Sequence, residues 1–104
     1  MSAQPLVELH AVTRVERLEA VARARFAVAR SGGWITGHQQ FSNVSLCLWF
    51  EVDGGRLPEL GEALRKAGIP LTSEPEAAAG EVRCSLQMAF IHDEPDLRAP
   101  PAAV

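Results

Sequence analysis

Residues 44–52 read VSLCLWFEV, the longest run of strand-forming residues in the chain. Successive strand residues point to opposite sides, so Leu46, Leu48, Phe50 and Val52 share one face and Ser45, Cys47, Trp49 and Glu51 the other. The first face is wholly apolar. The second sets a tryptophan and a thiol among polar groups, too apolar for a solvated face and too polar for a second core. This pattern predicts a central strand of a sheet that helices cover on one side only.

Working outward, Ser42-Asn43 is a short turn and Trp34–Phe41 (WITGHQQF) a weaker strand interrupted by Gly37, so the two strands are expected to pair as an antiparallel hairpin. On the other side Asp53-Gly54-Gly55 breaks the strand. Pro58 then suits a first helical turn, and Leu57, Leu60, Leu64 and Ala67 form an apolar stripe closed by Gly68. Before the hairpin, Leu6–Val12 alternates as a strand. Thr13 with Glu16 reads as a capping box, and Val15, Leu18, Ala22, Phe26 and Ala29 recur at helical spacing as a stripe to lie on the sheet. Ser31-Gly32-Gly33 ends that helix. Ile69–Gly80 reads as a loop, and Glu81–His92 as a fourth strand with Val82, Cys84, Leu86, Met88 and Phe90 on its core face. Asp93–Val104, with prolines at 95, 100 and 101, reads as a disordered tail.

The resulting order is β-α-β-β-α-β within a single domain over residues 1–92. It is the arrangement of the ferredoxin-like α+β fold: a four-stranded antiparallel sheet in the order 4-1-3-2, with two helices on one face. Residues 57–70, LPELGEALRKAGIP, resemble the corresponding segment of ACT-like regulatory domains, and the topology is similar to that of the dimeric α+β barrel proteins. The resemblance implies a module that binds small ligands and dimerises through its sheet.

Composition narrows the function classes. With ten Lys and Arg against thirteen Asp and Glu, the formal net charge of −3 speaks against a nucleic-acid or anionic-membrane surface. The first helix carries Arg14, Arg17, Arg23, Arg25 and Arg30, but they divide between its flanks and alternate with Glu16 and Glu19, as on a solvated helix. The chain shows no leader pattern and no span-length apolar run, so a cytoplasmic location is expected. Cys47 and Cys84 fall on different strands and are expected to be reduced thiols.

Function is expected on the helix-free face. That face collects Glu8 and His10 from the first strand, Cys47, Trp49 and Glu51 from the third, and Ser85, Gln87, Ala89 and Ile91 from the fourth. From the second strand it takes either Trp34, Thr36, His38 and Gln40 or Ile35, Gly37 and Gln39, and alternation alone leaves both sets open. Glu8, His10, His38, Cys47, Trp49 and Gln87 are therefore the candidate ligand-binding or interface residues. His10 and His38 lack the close-spaced partners of a zinc site, and neither metal nor cofactor is expected. The leading expectation is a self-associating regulatory or ligand-binding module, a homodimer or higher oligomer with a small-molecule ligand. The alternative is a cofactor-independent enzyme with His10 as general base beside Glu8 or Glu51, or with Cys47 as nucleophile and His10 on the adjacent strand.

Overall fold

The computed structural model describes residues 5–91, so His92 and the tail expected at 93–104 lie outside the described residues. The chain is α+β, with β1 (Leu6–Thr13), α1 (Arg17–Arg30), β2 (Trp34–Ser42), β3 (Ser45–Asp53), α2 (Leu57–Lys66) and β4 (Glu81–Phe90). The apolar faces of β3 and β4 meet α1 and α2 in one core that includes Leu48, Phe50, Leu60, Leu64, Leu86 and Met88. Both helices therefore lie on the same side of the sheet, and the β2–β3 hairpin is antiparallel as the sequence implied.

The strand order is β1-β4-β3-β2, which corrects the expected 4-1-3-2. The sheet is mixed rather than antiparallel, since β1 runs parallel to β4 while β4–β3 and β3–β2 are antiparallel. The centre is β3 and β4, and β1 moves to an edge. The segment expected to be a simple loop causes the difference. After α2 it runs back as an extended return, where Leu71 bridges antiparallel to Ala11 and the Thr72 amide donates to the His10 carbonyl at 2.8 Å. It ends clasped to the start of the α2 arm: Gly54 N–H donates to the Gly80 carbonyl at 2.7 Å, and Ala78 N–H donates to the Gly54 carbonyl at 3.0 Å. The chain thus re-enters the sheet at the end where β3 left it, and β4 must run antiparallel to β3. A Cβ on Gly54 would lie 2.5 Å from the Ala78 carbonyl oxygen, so this close approach needs glycine.

Two local expectations are also corrected. The face of α1 against the sheet is Ala20, Ala24, Ala27 and Val28, whereas Leu18 and Phe26 are 69% and 63% exposed and Ala22 and Ala29 are exposed with them. Small side chains let the helix backbone sit close to a sheet already filled by Leu48 and Phe50. The stripe of larger residues is left outside, where the Arg30 guanidinium stacks 5.6 Å from the Phe26 ring centre. The helix cap is Glu16 rather than Thr13: its carboxylate accepts from the amides of Leu18 and Glu19, and these bonds hold it below the usual carboxylate range. Thr13 is buried instead, its hydroxyl donating to the Gly68 carbonyl at 2.6 Å and accepting from Val15 N–H.

Candidate functional site: the helix-free face of the sheet

Residues opposite one another in a ladder share a face, so the observed registers turn the helix-free side into rows across all four strands. One row is Trp34, Glu51, Arg83 and Leu6. The next is Gly37, Trp49, Ser85 and Glu8, followed by Gln39, Cys47, Gln87 and His10. Glu8, His10, Cys47, Trp49 and Gln87 therefore occupy this face. His38 does not, because it stands opposite Leu48, whose side chain belongs to the core.

Neither of the two sets considered for β2 is whole. The β2–β3 register shifts between Ile35 and Gly37, so Thr36 is an extra residue and the strand changes sides there. Trp34 before the bulge and Gly37 and Gln39 after it share the open face. Gly37 was the available signal, since a glycine inside a strand often marks a bulge or a close approach. Its missing side chain leaves room beside the indole, and a Cβ there would sit 3.8 Å from the Trp49 ring. A hollow of about 320 Å³ results, lined by Leu6, Thr36, Gly37, Trp49 and Arg83. Leu6 and Arg83 had not been singled out; pairing β1 with β4 is what sets them beside Trp49's row.

The same grid changes the chemistry expected of His10 and Cys47. They are not on adjacent strands: β4 runs between them, and Gln87 occupies the intervening position. Two strand spacings separate their backbones by about 10 Å. Cys47 is buried, its thiol donates to the Leu48 carbonyl at 3.8 Å, and burial pushes its pKa up, away from the thiolate a nucleophile needs. Glu8 precedes His10 on the same face, while Glu51 is two strands and two rows away. Among the described residues no three His, Cys, Asp or Glu side chains are grouped to hold a metal ion.

A larger opening of about 530 Å³ lies on the other side of the molecule, between α1 and α2, and includes Ala22, Phe26, Arg30, Ala63 and Lys66. It is a wide surface groove, and among the described residues no buried side-chain polar atom is left without a hydrogen-bond partner to present to it. The sheet face carries both tryptophans and every candidate residue except His38.

Compared with models of protein families, with characterised proteins and with solved structures, the chain shows no significant match. The fold is therefore described by its own topology, a small α+β domain with a four-stranded mixed sheet and two helices. No helix among the described residues is long and apolar enough to cross a membrane.

Proposed function

We propose that the chain is a small self-associating regulatory or ligand-binding module whose working surface is the helix-free face of the sheet. One observation carries this reading. The face is bordered by uncovered apolar side chains, with Leu6 52%, Trp34 48% and Val12 42% exposed around the half-buried Trp49. An apolar surface of this kind, with Glu8, Glu51 and Arg83 within it and the acidic Asp53 and Glu81 at its end, suits burial against a second copy. The hollow beside Trp49 supplies the ligand side of the proposal. An indole wall with one guanidinium at the rim favours a flat apolar molecule bearing an anionic group.

Sedimentation velocity and tryptophan fluorescence test the two parts. Val12→Glu, placed opposite the exposed Ala89, is expected to weaken an association seen for the unaltered protein. Anilinonaphthalene sulfonate, an anionic aromatic probe, is expected to quench tryptophan emission, and Arg83→Gln to weaken its binding. A monomer at every concentration sinks the self-association; probe binding indifferent to Arg83→Gln sinks the ligand assignment.

A further inference from the structure

The two edges of the sheet are finished differently. At the β1 edge the return segment closes the strand at His10 and Ala11, through the Leu71 bridge and the Thr72 amide. At the β2 edge, among the described residues, no strand or loop pairs on the outer side. A terminal strand offers a row of unpaired N–H and C=O groups, which proteins usually blunt with charge, proline or a covering segment. The nine residues of β2, WITGHQQFS, hold no Asp, Glu, Lys, Arg or Pro. Every one of them is exposed or half-exposed.

We propose that this edge binds the same edge of a second copy, β2 against β2 antiparallel, with the twofold axis at His38. The contact is separate from the sheet face and does not depend on it. A second copy fits for three reasons. A strand without Asp, Glu, Lys or Arg meets its own image without carboxylate or ammonium repulsion, whereas charged partners find nothing to pair with. The closed β1 edge makes head-to-tail β1–β2 addition unfavourable, so pairing stops at a closed dimer instead of continuing as a filament. The ends of the strand also match: in the antiparallel register about His38, Trp34 stands opposite Ser42, and both lie on the open face, so the indole of each copy meets the far end of the other.

Face parity restricts the centre to a residue. Opposed residues must point to the same side of the sheet, and Gly37 and Gln39 lie on the open face while His38 and Gln40 lie on the helix side. An axis between His38 and Gln39 would oppose residues of unlike face and is excluded. An axis on His38 opposes Gly37 with Gln39, both on the open face, and centres the contact within Trp34–Ser42, with the bulged Thr36 and Phe41 outside the regular pairing. The bulges at Thr36 and Phe41 leave the stretch between them, where the axis falls, in regular register with β3.

Cysteine cross-linking of the full chain tests the contact. Residues opposed across an antiparallel pair have Cα atoms roughly 4.5–5.5 Å apart, within disulfide reach, whereas the two copies of a residue one position from the axis are about 8 Å apart and beyond it. Under mild copper–phenanthroline oxidation His38→Cys should convert most of the protein to a covalent dimer, and Gln39→Cys should cross-link several-fold less. The native thiols at Cys47 and Cys84 are buried and supply a low background. Both substituted positions are exposed, and circular dichroism verifies that each variant is folded. The His38→Cys result should persist in a Val12→Glu background, which separates this contact from the sheet face. Equal or greater cross-linking at position 39 overturns the register. Folded variants that both stay monomeric overturn the edge contact.

Discussion

If the clasp at Gly54 sets the direction of β4, then a single methyl group there should cost more than its size suggests. Gly54→Ala places a Cβ 2.5 Å from the Ala78 carbonyl oxygen and 2.9 Å from both the Ala78 carbonyl carbon and its Cβ. Ordinary contact begins near 3.4 Å, and the first two obstacles are backbone, so the return segment has to move by close to an ångström. That displacement opens the two bonds of the clasp, at 2.7 and 3.0 Å, each contributing about 0.5–1.5 kcal/mol. Strain in the displaced chain adds about 1–3 kcal/mol. The sum is about 2–6 kcal/mol, a large part of the 5–15 kcal/mol that stabilises a typical domain. Urea unfolding followed by tryptophan fluorescence measures it; with a slope of about 1.5 kcal/mol per molar, the midpoint should fall by roughly 1.3–4 M. Gly55→Ala is the internal control, because the nearest atom to its added Cβ is an Asp53 carboxylate oxygen at 3.7 Å and the change should stay within about 0.5 kcal/mol. Equal stability for the two variants would refute the clasp as the element that directs β4.

Two further outcomes are expected. On α1, Ala24→Leu pushes bulk into the tight helix–sheet contact and should destabilise by about 1–3 kcal/mol, whereas Leu18→Ala removes an exposed side chain and should change stability by under about 0.5 kcal/mol; urea midpoints check both, and the reverse ranking would mean that the larger stripe faces the sheet. Burial pushes the Cys84 thiol from its ordinary 9.0 to about 11, so the unfolded chain ionises first. The stability this thiol contributes is whole below pH 9 and is lost as pH rises toward 11. Cys84→Ala should flatten that part of the stability–pH curve, and a curve unchanged by the substitution would refute the assignment.

Which residues share a face was legible in the sequence for β1, β3 and β4, and which strands are neighbours was not, for one physical reason. Alternation along β3 and β4 reports only the side to which each side chain points, and the 4-1-3-2 and 1-4-3-2 orders use the same core faces. Order was settled by residues 69–80, whose prolines and acidic residues read as loop while their path depends on contacts with Ala11, His10 and Gly54. On α1 two stripes competed. Hydrophobicity favours Leu18 and Phe26, but a close helix–sheet approach rewards the smaller Ala20, Ala24 and Ala27. At β2 an inserted Thr36 changed the side of everything after it, so His38, expected beside Cys47, stands on the other side of the sheet.

The corrected order also changes what the surface can do. With β4 between them, His10 and Cys47 flank Gln87 instead of each other, so the open face holds a histidine and a thiol without the direct contact a nucleophile–base pair uses. What it offers is shape and apolar area around Trp49. The proposed sheet-face contact would have its twofold axis parallel to the sheet, while the proposed β2 contact has its axis perpendicular to the sheet. Two such axes that intersect generate a closed tetramer, and the His10–Ala11 closure of the other edge keeps that assembly finite. Loss of either contact alone should then leave a dimer, and only loss of both a monomer. A single substitution at either surface that takes a tetramer directly to monomer would show that the two contacts are not independent.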